Sequence, residues 1–419
     1  MNARRATVNI AVEGVDITSS ILPYLKSMSY IDNEEDETDE LQIQLHDREA
    51  IWMEKWLNEL IDASVSSGSG RENVSDGYGG RTGVGGDGIS TPWPTGQLTD
   101  MQIQQGGFLY LYNLPGDNLI GNRSGTAPQA AGGRVSTGLM MDANIILENW
   151  TQGGGAAALR CGRFELDSAA ASGPPAVITL KCTSLPFKTR VRQTKQSRAW
   201  EYYTLSGIAR EIARSNGMSC MYESAFNPFY VRVEQTKTSD SQFLETLCHN
   251  AGISLKMTDN TVVLFDQAAY EARPAVCAIR RGDGTYTKYK LSAGTADTKY
   301  ASCRVSYTPP GGGCIQGIAR VEDYNADAKN NQQLEITAKV DSQEEARALA
   351  AKLLRRHNRY ATTASFTLPG AYSLVAGVTV MLERWGAWNG KYIVSQAKHT
   401  VSGGGYVVDV KLRKVLEGY

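Results

Sequence analysis

The chain has 419 residues, of which 42% are hydrophobic and 21% charged, the composition of a folded protein long enough for roughly two to four domains. Lys plus Arg total 43 against 44 Asp plus Glu, so the formal net charge of −1 gives no electrostatic basis for gripping nucleic acid or an acidic membrane surface. Polar residues break every apolar run short of the ~18 residues a bilayer span needs. No apolar stretch follows Arg4 and Arg5, and a chain folding in a reducing cytoplasm, with neither export signal nor membrane anchor, is expected.

The first 60 residues read as β-rich. Val8, Ile10 and Val12 alternate with polar positions, as do Leu41, Ile43 and Leu45, a period of two that gives a strand one buried and one wet face. Between them, residues 32–40 (DNEEDETDE) carry seven carboxylates in nine positions. An EF-hand needs Gly at the sixth place and Glu at the twelfth, where Glu37 and Ile43 stand, so the run is not a calcium loop. It is expected to be a solvated acidic loop, with contact to a basic partner through Glu34 and Asp36 as the sharper alternative.

Residues 66–138 hold 18 of the 42 glycines and show little periodicity. Gly83–Gly88 formally matches G-x-G-x-x-G, but no strand precedes it and no helix follows, which rules out a dinucleotide loop. Phe108, Tyr110 and Tyr112 in the middle of this segment are candidate contact residues.

Strands resume over ANIILENW, ALRCGRFELD and AVITLKC, with a Gly-Pro-Pro turn at 173–175. From about 195 helical spacing appears. Leu205, Ile208, Ala209 and Ile212 make one stripe, ending at Gly217. Phe243, Leu247 and Ala251 make another, opened by Ser239 with Gln242 three residues on and stopped by Gly252. Strands ISLKM and TVVLF follow. The last third is β again, with one helix capped by Ser342 and Glu345 and carrying Ala346, Leu349, Ala350, Leu353 and Leu354 inward.

Two stretches repeat one signature. Leu147-Glu148-Asn149-Trp150 precedes Gly162-Arg163-Phe164, and Leu382-Glu383-Arg384-Trp385 precedes Gly390-Lys391-Tyr392. Each then runs into a further alternating strand, Val177–Cys182 or Val407–Leu412. The repeat predicts two related tube-like β-barrel domains, with Trp150 equivalent to Trp385 and Phe164 to Tyr392. The resulting fold class is mainly β with α+β. The first barrel comprises 1–62 plus 139–190, interrupted by a Gly/Ser-rich insertion at 63–138; an α+β domain covers 191–283, and the second barrel with its helix covers 284–419. Three such chains would present six similar barrels in a ring with threefold symmetry.

Nothing points to catalysis. A hydrolase needs a positioned nucleophile and base, or paired carboxylates. The four histidines, His46, His249, His357 and His399, all fit structural roles, and no acidic spacing singles out a pair. The seven cysteines form no C-x-x-C pair and are expected to be buried, reduced thiols rather than a zinc site. No cofactor is expected.

Ser239, Asp240, Phe243, Leu244, Leu247 and Gly252 resemble the signature of baseplate hub proteins, the family that includes phage late control D proteins and the hub part of type VI secretion spike proteins. The opening of the chain and its last 46 residues are similar to the same family; the Gly-rich segment is not. The resemblance implies a non-enzymatic structural protein of a virion tail baseplate. It implies a homotrimer that adapts a sixfold tail tube protein to a threefold central spike protein, with baseplate wedge proteins outside and a tape-measure protein in the lumen. A phage-derived bacteriocin or another contractile injection particle would use the same architecture, and a tail-associated cell-wall hydrolase is the remaining alternative.

Overall fold

The computed structural model describes residues 4–12, 14–35, 37–50, 52, 139–150, 157–184, 194–257, 261–294, 299–322, 324–325 and 331–416. The chain is mainly β with some helices. In the first part the strands are β1 (Arg5–Val12), β2 (Val15–Asp16), β3 (Leu25–Asn33), β4 (Glu40–His46), β5 (Met140–Glu148), β6 (Ala157–Ser172) and β7 (Val177–Thr183), with one helical turn, α1 (Thr18–Ile21). Alternation sets their faces: Val8, Ile10, Leu41, Ile43, Leu45, Ile145 and Leu147 are all buried while their neighbours are wetter. In the last part β18 (Thr362–Pro369) and β21 (Gly405–Lys414) alternate likewise; β13 (Cys277–Arg280), β14 (Lys288–Ala293), which has no buried residue, β19 (Thr379–Glu383) and β20 (Gly390–Ser402) complete it.

The two parts use one strand plan. In the first the order is β3-β4-β7-β6-β5-β1, and in the second β14-β18-β21-β20-β19-β13. The details coincide as well. Leu166 sits opposite Cys182 and Val394 opposite Leu412, and a bulge follows each, at Asp167 and Ser395. Asn149 and Arg384, the residues before the two tryptophans, both lie in the left-handed region, at φ 61° and 64°. Gly162 and Gly390 take φ 109° and 132°, a conformation that needs glycine. The sixth strand differs, since β1 runs antiparallel to β5 whereas β13 runs parallel to β19.

Two separate barrels are not what these strands build. Residues 396–402 of β20 pair antiparallel with residues 27–33 of β3, so hydrogen bonding runs through both parts as one 13-stranded sheet. Among the described residues no closed barrel forms, because β20 spends its second edge on the other half of the chain. One hydrophobic core lies beneath the sheet, taking Ile10, Leu41 and Phe164 from one part and Phe366, Tyr392 and Leu412 from the other.

Two smaller bodies attach. The first contains β8 (Gln196–Thr204), α2 (Leu205–Ser215), β9 (Ser219–Glu223), β10 (Phe229–Thr238), α3 (Asp240–Ala251), β11 (Ser254–Met257), β12 (Thr261–Phe265) and α4 (Gln267–Ala272). Its local signals work as read: the Ser239 hydroxyl accepts from Gln242 N at 3.3 Å, and Gly252 closes α3 in the left-handed conformation. The β8–β10 ribbon and β9 had no counterpart in the sequence reading. The second body packs α5 (Gln343–Asn358) on the sheet β16-β15-β17 (Ile315–Arg320, Ser302–Tyr307, Gln333–Thr337). Its core of Cys303, Val305, Leu349 and Leu353 is distinct from the one under the large sheet.

The halves also meet through Trp150. Its indole lies against Gly370, where an added Cβ would overlap the ring and where φ is +73°, and it meets Tyr406 edge-on at 5.9 Å. Gly370→Ala should therefore cost roughly 2–4 kcal/mol, from overpacking and left-handed strain together. Chemical denaturation measures this, and Trp150→Phe should recover part of the loss. A cost below about 0.5 kcal/mol would mean that the contact is not tight.

Candidate functional site

The acidic run at 32–40 is where both halves of the sheet and both smaller bodies converge. It ends β3, and the β3–β20 pairing draws it inward. Asp32, Asn33, Glu34, Glu35 and Asp39 are all at least 93% buried. The solvated loop expected from composition is thus corrected. Composition counts charges, but here the compensating cations arrive from elsewhere in the same chain. Asp36 lies outside the described residues.

Each of the four buried carboxylates of the run has a named partner, while Glu37 and Glu40 stay exposed. Lys256 Nζ on β11 donates to Asp32 Oδ1 and to the Asn33 carbonyl, both at 2.8 Å, and lies 3.3 Å from Asp39 Oδ1. Arg413 on β21, completely buried, grips Glu34 with two nitrogens at 2.7 and 3.1 Å and pairs with Glu271 of α4 through its third. Arg355 of α5 takes the other oxygen of Glu271. Arg359, just past α5, pairs with Glu35, which also accepts from Gln267 Nε2 at 2.6 Å. Asp32 Oδ2 accepts from Ala376 N at 2.8 Å, and Glu34 N donates to the Ser395 carbonyl at 3.0 Å. Five carboxylates and four cations from both halves of the sheet and both smaller bodies form this junction.

Its electrostatics follow burial. Desolvation pushes the Asp39 carboxyl up to about 6, against the pull of Lys256 and with the push of Asp32. Burial lowers Lys256, but Asp32 and Asp39 outweigh it and the net direction is up. Beside the junction His399 is fully buried, and desolvation lowers it to about 4. Its Nδ1 hydrogen-bonds the Tyr406 hydroxyl at 2.7 Å, and its ring stacks on Tyr30.

The residues singled out by sequence fall in different places. Glu34 is committed to Arg413 inside the chain. Trp150 and Trp385 each donate the indole N–H to a backbone carbonyl of the outermost full strand of their half, Arg5 and Ile279, both at 2.9 Å. Phe164 and Tyr392 are both fully buried. Phe108, Tyr110 and Tyr112 lie outside the described residues. The sequence reading missed Lys256, Glu271, Arg355, Arg359 and Arg413, charges that nothing in their local sequence sets apart from ordinary surface residues. Arg413 gave no signal, because it falls on the face of β21 that carries Asp409 and Lys411, opposite the apolar face of Val408, Val410 and Leu412.

The geometry offers little to a hydrolase. Cys248 is buried while the neighbouring His249 is half-buried near Glu245. Four cysteines are buried and Cys220 and Cys277 half-buried, but Cys314 is exposed, which corrects the expectation of uniformly buried thiols. A hollow of about 260 Å³ between the two smaller bodies is lined by Tyr230, Asn250, Ile336, Leu349 and Glu345. The Glu345 carboxylate is spent accepting from Asp341 N at 2.8 Å. A second hollow of about 280 Å³ includes His46, Asp47 and Glu49, where Asp47 accepts from Trp52 N at 2.9 Å. Among the described residues no group of three or more His, Cys, Asp or Glu could hold a metal ion, and no helix is long and apolar enough to cross a membrane.

Two outcomes are expected. Arg413→Met leaves Glu34 and Glu271 without their shared cation and should destabilise by roughly 3–5 kcal/mol. Glu34→Gln with Arg413→Met should cost less than the two single losses added; strict additivity in denaturation would show that the pair is not coupled. For His399, the folded value of about 4 lies below the unfolded 6.5. As pH falls from 6.5 to 4, the unfolded chain takes up the proton first and stability is lost, by up to about 3 kcal/mol at pH 4. His399→Gln should remove that slope relative to wild type, whereas parallel stability–pH curves would refute the assignment.

A sequence profile of the family described as putative phage tail proteins matches residues 240–390. No curated protein matches the chain. Among solved structures, it resembles the 43 kDa tail protein of prophage MuSo2 from Shewanella oneidensis (9% identity, TM-score 0.55, covering 97% of this chain and 98% of that one). It also resembles the tail protein from Neisseria meningitidis MC58 (9% identity, TM-score 0.58, covering 98% and 97%). The chain therefore has the fold of prophage tail proteins, and from residue 240 to 390 it carries the sequence pattern of a phage tail family.

Proposed function

We propose that this protein is a non-enzymatic structural hub of a phage-type tail baseplate, acting as a homotrimer. In this role it joins a sixfold tail tube protein on one side to a threefold central spike protein on the other. Wedge proteins would surround it, and a tape-measure protein would reach its lumen. The observation that carries the reading is the duplicated strand plan on a prophage tail fold. Two copies of one six-strand plan, β3-β4-β7-β6-β5-β1 and β14-β18-β21-β20-β19-β13, lie in one chain. Three chains then offer six near-equivalent faces to a hexameric ring and three identical faces to a trimer, which resolves the symmetry mismatch with one polypeptide. The ionic junction suits the role, since it holds the two copies in one orientation.

The test is native mass and image symmetry of the full chain assembled with tube and spike proteins. A trimer of about 137 kDa, three times the 45.6 kDa chain, is expected at the tube–spike boundary. A mass that stays at one chain in the presence of both partners would overturn the reading.

A further inference from the structure

The internal repeat identifies a pair of strand edges that one copy should offer to the next. Within the chain β20 uses one edge twice: residues 390–393 pair with β19, and beyond them residues 396–402 pair with β3. Strand β6 is its counterpart. Residues 157–165 pair with β5. Beyond them residues 166–172 pair with β7 on the opposite edge, and among the described residues nothing pairs with the edge that corresponds to the β3 site. The counterpart of β3 is β14, which ends the sheet and, among the described residues, pairs with β18 alone.

Exposure marks the difference between the used and the unused seam. Leu41 and Ala364 occupy the same place, opposite Cys182 and Leu412. That alignment makes Met28 equivalent to Tyr289 and Tyr30 to Leu291. Met28, at the internal seam, is fully buried, whereas Tyr289 at the free edge is 51% exposed. Open backbone N–H and C=O groups on an edge strand are a template for another strand.

We infer that β14 of one copy adds antiparallel to the second half of β6 of the next, repeating between chains the β3–β20 seam found within the chain. This rests on the trimer reading and specifies how its ring is closed. The bulges set the register. Val394 corresponds to Leu166, so Gln396 corresponds to Ser168. The internal pairs Asp32–Ala397, Ile31–Lys398, Tyr30–His399 and Ser29–Thr400 then become Ala293–Ala169, Ser292–Ala170, Leu291–Ala171 and Lys290–Ser172 between copies. The two seams differ in strength. Asp32, which binds Lys256 at the internal seam, is replaced by Ala293, so the seam between copies has small side chains and backbone hydrogen bonds where the internal one has buried ion pairs.

The test is disulfide formation between full-length copies in a Cys314→Ser background. Ala170 and Ser292 are both exposed, and as directly opposed residues their Cβ atoms fall within reach of a disulfide. Ala170→Cys mixed with Ser292→Cys should give covalent dimers on oxidation, and the double variant covalent trimers. Ala170→Cys with Lys290→Cys, two residues out of register, should give at least about tenfold less product. Native mass is read on the same samples. A trimer without the Ala170–Ser292 product overturns this seam and leaves the trimer standing. A monomer at every concentration, with tube and spike proteins added, overturns both.

Discussion

The fold is organised around the pairing of β3 with β20 and the buried charges at its end. A buried ion is tolerated only when its partners and hydrogen bonds are in place, because desolvation costs several kcal/mol per ion and attraction repays it only at good geometry. Here the partners come from four directions: β11, α4, the end of α5, and β21. Any rigid shift of one body would strand at least one charge in a low-dielectric interior. The cluster therefore acts less as a source of net stability than as a penalty on wrong docking.

This explains why two similar halves behave as one sheet. Each half has the same six-strand order and the same bulge, but the first half ends β3 in acidic residues and the second ends β21 in Arg413. The equivalents on the other sides are neutral or exposed. The repeat is thus polarised, with one seam internal and ion-locked and the opposite pair of edges unpaired among the described residues. Such polarity lets a repeat unit join its neighbours head to tail.

The small bodies fit a mechanical role. Each has its own apolar core; Lys256, Gln267 and Glu271 tie one to the sheet and to the acidic run that ends β3, Arg359 ties the region of α5 to that run, and Arg355 joins the two bodies through Glu271. His399 is buried apart from these ties, its Nδ1 bonded to the Tyr406 hydroxyl.

Much of the secondary structure was legible because it depends on neighbours in sequence. Period-two burial marked β1, β4, β5 and β21. Ser239 and Ser342 marked helix starts, and Gly252 marked a helix end, since caps are satisfied within four residues. The repeat around Trp150 and Trp385 was visible because a left-handed turn, a positive-φ glycine and a buried aromatic each constrain residue type. The β8–β10 ribbon was not visible, because the less exposed face of β8 carries Gln196 and Arg198 beside Trp200, so burial alternates there while hydropathy does not. The fate of the acidic run was also beyond sequence. Arg413 and Glu34 stand 379 positions apart, Lys256 and Asp32 224. Periodicity records that a face is buried, not what covers it. Which of these carboxylates meet buried cations, as Asp32, Glu34, Glu35 and Asp39 do, and which stay exposed, as Glu37 and Glu40 do, depends on distances through space, and those exist only once β3 has been laid against β20.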